Sequence, residues 1–310
     1  MNPPASRSHP VGETWEPRQV PWGGLVDRLR AATRARRLVP TELALIGIDV
    51  LYRSAVRLSD RRAAAAKASM AAVVGRTSRE HEVARLAPLH VAARARGWEL
   101  TWRSWELERV PVRHEERLHR ARASGRGLML SKSHLGPLAA WVPLGRMLNP
   151  LILPADEWLL DPPNPGLDGY RVEHRRRVFH DAGIKLIYST GSGMTLYKVL
   201  RRGGAVLMSM DMPGDRRVTF LDKPVDMVDG TAQLATRTDA LVLPVALMPS
   251  GRRWEIRIGE AMDPRDFAGA DELHLALAKI HEQQIMAAPE HLENPLWRWP
   301  AATPEGWYQE

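Results

Sequence analysis

The sequence predicts an α/β protein with a mainly parallel central sheet flanked by helices, preceded by a helical N-terminal region. Three observations carry this reading. From Gly127 onward short apolar runs alternate with helical stretches, which is the texture of βαβ units. Before that point the chain is rich in alanine, leucine and arginine at helical spacing. Between the two regions, Leu128-Met129-Leu130 runs straight into Ser131-Lys132-Ser133-His134 and then Gly136-Pro137. That is a buried strand delivering polar residues to a strand-to-helix turn, where open α/β proteins place their chemistry.

Taken in order, residues 1–24 hold five prolines and little periodicity, and are expected to form an extended arm. Residues 25–310 are read as a single domain, with a helical part over 25–124 and an α/β core over 125–300. Leu25 to Leu58 is helical in pattern, with Arg28, Arg30, Arg34, Arg36 and Arg37 ahead of an apolar run from Leu43 to Leu51. Such a helix suits either an anionic bilayer or a protein core with a solvated basic face. Arg61 to Val74 is alanine-rich and ends at Gly75. Thr77-Ser78-Arg79-Glu80 has the form of a capping box for the next helix, in which Pro88 is a candidate kink. His114 to Arg122 reads as one more helix.

In the second region, strands are expected at Leu128–Leu130, Leu151–Leu153, Lys185–Tyr188, Ala205–Met210 and Leu241–Leu247. Helices are expected near Pro137–Met147, Tyr170–Ala182, Met194–Arg202 and Gly230–Thr238. Trp254 to Ile258 alternates as an edge strand does, and Glu272 to Met286 forms a closing helix. Pro154 to Gly169, with four prolines and two glycines, reads as a loop, and Pro289 to Trp299 as a proline- and tryptophan-rich tail.

The chain of 310 residues contains no cysteine, which excludes disulfides and thiolate metal sites. Its 44 Lys plus Arg against 36 Asp plus Glu give a formal charge of +8. Arginine clusters at Arg28–Arg37 and Arg175–Arg177 point to an acidic partner: anionic lipid, an acidic carrier protein, a phosphorylated substrate or nucleic acid. The first residues lack the apolar stretch of a signal peptide, and the apolar windows at Leu43–Tyr52 and Leu135–Leu153 are interrupted by charge or proline. The expected location is the cytoplasm, including the inner face of the cell membrane. Nothing in the sequence sets the oligomeric state.

Two predicted strands end in groups capable of chemistry. One delivers His134 and the other Asp211, and in a parallel sheet both ends share one edge. A histidine oriented by a carboxylate is the usual means of activating a hydroxyl or amine. The following Asp211-Met212-Pro213-Gly214-Asp215-Arg216-Arg217 reads as a turn whose paired arginines suit a phosphate or carboxylate. The competing account makes Asp211 a turn cap and the arginines solvated. Several classes fail on their motifs. There is no G-x-x-x-x-G-K-[ST], no G-x-S-x-G, and no H-E-x-x-H or other histidine spacing for a metal. Gly191-Ser192-Gly193 lacks the third glycine of a dinucleotide fingerprint, since that position is Leu196. A nucleic-acid surface interleaves basic and aromatic residues on one face, and here the tryptophans fall in separate places along the chain.

Several blocks in order resemble the bacterial lipid A biosynthesis (late) acyltransferases, a family related to the phosphatidylinositol mannoside acyltransferases and the glycerophosphate acyltransferases. They are Gly125-Arg126-Gly127 through His134-Leu135-Gly136, Leu200 through Gly203 to Asp211, Val218 to Asp222, Gly230-Thr231-Ala232 through Pro244-Val245, and Pro289-Glu290 leading to Trp297-Arg298. The resemblance covers about residues 25 to 300. It implies a glycerophosphate-acyltransferase-like fold and an acyl transfer in which His134 deprotonates an acceptor that attacks a coenzyme A or acyl-carrier-protein thioester. It implies no metal and no cofactor beyond that donor. Ser133, Gly230 and Thr231, which fall in the resembling blocks, join Arg216 and Arg217 of the turn as the expected substrate contacts.

One departure bears on the chemistry. The family's H-x-x-x-x-[D/E] motif has Ala139 at the acid position, and the glycine of the family's "F-F-G" is Asp222. Three accounts are compatible with Ala139. Asp211 orients His134 instead; the acceptor is an amine that needs less help; or the scaffold serves condensation, cyclisation or hydrolysis of a thioester. A different class, a silent scaffold binding lipid or carrier protein, also accommodates Ala139, though not the retained His134.

Overall fold

The protein is described by a computed structural model over residues 36–156, 160 and 167–298. The expected arm at 1–24, Arg28, Arg30, Arg34 and the tail from Trp299 lie outside the described residues, as do 157–159 and 161–166 of the expected loop. The described ends of that loop are not loop: Pro154 and Ala155 are the last residues of a strand and residues 167–169 open a helix.

Three long helices lead the described residues: α1 (Thr41–Arg57), α2 (Asp60–Val74) and α3 (Val83–Trp102). Pro40, unable to continue a preceding helix, marks the start of α1, so the helical pattern read from Leu25 to Leu58 is not one unbroken helix here. Ser59 caps α2, its Oγ accepting from the Arg62 N–H at 3.4 Å. The expected capping box does not form. The Thr77 hydroxyl donates to Val74 O at 2.9 Å and accepts from the Arg79 N–H at 3.2 Å, so it finishes α2 rather than starting α3. A 3₁₀ turn at Glu80–Glu82 leads into α3, which continues through Pro88 to Trp102.

A seven-stranded sheet follows, in the order β1-β9-β8-β2-β5-β3-β4. Its strands are β1 (Val112–Arg113), β2 (Leu128–Lys132), β3 (Leu151–Ala155), β4 (Ile184–Tyr188), β5 (Ala205–Ser209), β8 (Leu241–Ser250) and β9 (Arg253–Ile258). The run β8-β2-β5-β3-β4 is parallel, as expected. β9 turns back antiparallel to β8, and the two-residue β1 flanks it, so β9 is not the outermost strand. Helices α4 (Glu115–Ala123), α5 (Val142–Met147), α6 (Leu167–Asp181), α7 (Gly193–Arg201), α8 (Gly230–Thr238) and α9 (Ala270–Ala287) connect and cover it.

Register explains the two-sided core. Met129, Val206 and Val242 are cross-strand partners on one face, packed with residues of α2, α3, α7, α8 and α9. Leu130, Leu207 and Leu243 are partners on the other, packed with residues of α4, α5 and α6. Strands covered on both faces read as continuous apolar runs, which is why they were visible. Each such leucine is fully buried, and truncating one to alanine costs about 2–5 kcal/mol.

A separate hairpin, β6 (Pro213–Phe220) with β7 (Lys223–Met227), corrects the expected turn at Asp211–Arg217. The first half of β6 is largely exposed, so it carries no apolar alternation to betray a strand. Its two-residue loop puts Leu221 and Asp222 at φ 53° and 56°. A glycine suits that left-handed position, and Asp tolerates it, which accounts for Asp222 in the resembled block.

Candidate active site

Strands β2 and β5 are neighbours whose exits run in opposite directions across the sheet. From β2 the chain crosses to β3, beyond β5; from β5 it passes through the hairpin and α8 to β8, beyond β2. Such a switch point opens a crevice at the carboxyl edge. Lys132 and Ser209 are register partners at that edge, and His134 and Asp211 follow two residues later on each chain. The segment after His134 is held in place. Its carbonyl accepts from the Glu293 N–H at 2.9 Å, and the Gly136 N–H donates to His291 O at 2.9 Å. Gly136 has φ 74°, and a Cβ there would lie 2.8 Å from Trp254 Nε1, so only glycine fits.

Asp211 is fully buried and grips His134 twice. Oδ1 accepts from the ring Nδ1 at 2.8 Å, and Oδ2 accepts from the His134 backbone N–H at 2.9 Å. The Arg298 Nε, 3.5 Å from Oδ2, adds a buried positive charge. Burial works against the carboxylate, yet Arg298, His134 and Lys132 hold it well below the usual range. Burial, followed by Arg298 and Lys132, pushes His134 down to about 3 against the pull of Asp211. The pair is therefore a neutral imidazole beside an ionised carboxylate. Because the carboxylate only accepts, Nδ1 carries the proton and Nε2 is the lone-pair nitrogen. Nε2 lies 3.4 Å from Ser209 Oγ, which also accepts from Lys132 Nζ at 2.7 Å. Burial lowers Lys132 to about 8, with Asp211 opposing.

His134, Lys132 and Ser209 line a cavity of about 1310 Å³. Its far wall includes Trp98 of α3, Arg175 of α6, Arg216 of β6 and Gly230 at the start of α8. Arg175 is 6 % exposed, and its Nε and Nη2 have no hydrogen-bond partner. With Arg176, which pairs with Glu173, it lies inside the protein, so the Arg175–Arg177 run is not a basic surface patch. Arg216 also pairs with Asp271 of α9.

Three expected substrate contacts stay off the cavity wall. Ser133 is buried just past the end of β2 and does not line the cavity, and its hydroxyl has no hydrogen-bond partner. Thr231 is likewise buried behind Gly230 with an unpartnered hydroxyl. Arg217 alternates away from Arg216 and pairs with Asp226 through Nε at 2.6 Å. Sequence reasoning passed over Lys132, Ser209, Arg175 and Arg298 as site groups. Lys132 and Ser209 were findable, each standing two residues before a chosen residue on the same strand face. Ala139 is completely buried in a 3₁₀ turn within the apolar cluster of Trp141 and Trp254. Among the described residues no group of three or more His, Cys, Asp or Glu side chains converges as metal ligands would.

These features define an α/β enzyme scaffold with a histidine–aspartate pair at the switch point of its sheet. The chain belongs to the bacterial lipid A biosynthesis acyltransferase family, whose model matches residues 30–298. Family membership supports acyl transfer as its general activity. Among solved structures, the chain is similar to the 1-acyl-sn-glycerophosphate (LPA) acyltransferase PlsC from Thermotoga maritima, at 18% identity over 63% of this chain and 82% of that one, with a TM-score of 0.35. No curated protein sequence matches the chain.

Proposed function

We propose that the protein transfers an acyl group from a coenzyme A or acyl-carrier-protein thioester to a hydroxyl or amine acceptor, with His134 as general base. The observation that carries this is the double grip of Asp211 on His134, which fixes the ring and leaves Nε2 as a neutral acceptor at the cavity. Asp211 replaces the acid missing at position 139, since it already occupies the Nδ1 side of the imidazole. Arg175, with unsatisfied donors beside the cavity, suits an anionic group of donor or acceptor, and Arg216 and Gly230 contribute to the same wall. Ser133, Thr231 and Arg217 do not line this cavity, and the proposal gives them no direct substrate contact.

Among the described residues no helix is long and apolar enough to cross a membrane. Leu43, Val50 and Leu51 of α1 are each more than half exposed, and Arg57 stands in its last turn. This supports peripheral attachment to an anionic membrane from the cytoplasmic side. The deciding experiment is thioester consumption by His134→Ala against a panel of acyl thioesters with alcohol and amine acceptors. Turnover should fall by at least about 10²-fold with the fold intact. A variant as fast as the wild type would refute the base assignment.

A further inference from the structure

We propose that Ser209 is a nucleophile that carries the acyl group as a covalent ester, completing a Ser209–His134–Asp211 triad on the cavity wall. This deepens the acyl-transfer reading above and rests on it for the identity of the donor.

The direction of the hydrogen bonds is the argument. The Lys132 ammonium can only donate, and it donates to Ser209 Oγ at 2.7 Å. The Ser209 proton is thus left for another acceptor. His134 Nε2, 3.4 Å away, is that acceptor, because Nδ1 is committed to Asp211. Donation therefore runs one way, from Lys132 to Ser209 to His134 to Asp211. The order follows from the sheet: Lys132 pairs with Ser209 in register, and His134 and Asp211 each stand two residues further on. Ser209 is half-buried and lines the cavity, so its hydroxyl is within reach of a substrate. An external acceptor seeking Nε2 has to displace that hydroxyl, whereas a covalent relay uses the contact as it stands. The serine sits at a plain strand end, Met208-Ser209-Met210, so no G-x-S-x-G signature marks it.

The chemistry balances in two half-reactions. Ser209 Oγ bonds to the thioester carbonyl carbon as its proton passes to His134 Nε2. The tetrahedral oxyanion collapses, the C–S bond breaks, and the imidazolium returns the proton to the departing thiolate. The acceptor hydroxyl or amine then attacks the Ser209 ester, giving its proton to Nε2, and the Ser209 alkoxide recovers that proton on leaving. Lys132, buried against Ser209, supplies fixed positive charge where negative charge develops.

Two reagents test this on the full-length protein by intact mass and peptide mapping. One is an alkyl fluorophosphonate. The other is an acyl-CoA series, from octanoyl to palmitoyl, supplied without acceptor and quenched early. Both should add one group at Ser209. Ser209→Ala should abolish the adduct, His134→Ala should slow its formation by at least about 10²-fold, and Ser209→Cys should carry a hydroxylamine-labile thioester. Thioester consumption with residue 209 unlabelled by either reagent overturns the covalent step and leaves the acyl-transfer reading standing. Phosphonylation of Ser209 without thioester consumption upholds the nucleophile and overturns that reading. Neither label nor consumption overturns both.

Discussion

Asp211 holds both the ring and the backbone of His134, at 2.8 and 2.9 Å, from a position with no solvent exposure. An amide there loses the negative charge and offers an N–H where Nδ1 already presents one. Asp211→Asn is expected to lower turnover by more than about tenfold, up to about 10⁴ if the imidazole flips tautomer. Steady-state rates at matched folding, checked by circular dichroism, decide it. An unchanged rate would reduce Asp211 to a turn residue.

Buried neutral histidines make a prediction about acid. Burial is the leading cause in lowering His90 and His281 to about 4 and His134 and His291 to about 3. The unfolded chain binds protons at these sites from about pH 6.5, well before the folded chain does. Their contribution to stability is full above that pH and is lost as pH falls toward 4 and 3. Glu293, raised by burial, acts in the opposite sense but stands against four. The Tm should therefore drop between pH 7.5 and 5. Within the range where the protein stays folded, thioester turnover should show no acid limb from His134 above pH 5. A limb near 6.5 would mean that the imidazole is ordinarily solvated.

Much of this site was legible because strand periodicity is local. The apolar runs of β2 and β5 end where His134 and Asp211 begin, and parallel pairing puts both on one edge. Other features depend on tertiary placement, which no local pattern carries. Arg175-Arg176-Arg177 looks like a solvated run, yet two of the three are buried by the packing of α6. Arg298 approaches Asp211 from 87 residues further along the chain, a distance no motif spans. The start of the β6–β7 hairpin was hidden because Pro213 to Arg217 bury no apolar side chain, and only from Val218 and Phe220 onward does an alternating buried face appear. Thr77 had the right neighbours for a capping box but was already bonded to the preceding helix.

Arg175 sets stability against binding. A buried guanidinium with two unsatisfied nitrogens is a desolvation cost that an apolar side chain of similar length does not bear. Burial lowers its pKa to about 10 for the same reason. Arg175→Met should raise the Tm while increasing the KM for the anionic substrate by at least about tenfold, the worth of one charge-assisted contact. A lowered Tm with KM unchanged would make Arg175 a structural residue.

The exposed face of α1 makes the last prediction. Leu43, Val50 and Leu51 stand in solvent on a helix whose opposite side buries Leu45 and Val56. Asp49, inside the same helix, is consumed by Arg96 and by Arg252 at 3.2 Å, so it does not charge the exposed face. A bilayer that covers an aliphatic side chain gains about 1.5–3 kcal/mol, and each nearby basic residue adds about 1 kcal/mol on an anionic surface. The protein should cosediment with phosphatidylglycerol-rich vesicles more strongly than with phosphatidylcholine vesicles, and added salt should narrow the difference. The double variant Leu43→Asp, Val50→Asp should weaken binding to both vesicle types by more than about tenfold, because it removes the apolar part that the lipid headgroup does not alter. Equal binding by variant and wild type would place the membrane contact elsewhere on the molecule and leave this face to another partner.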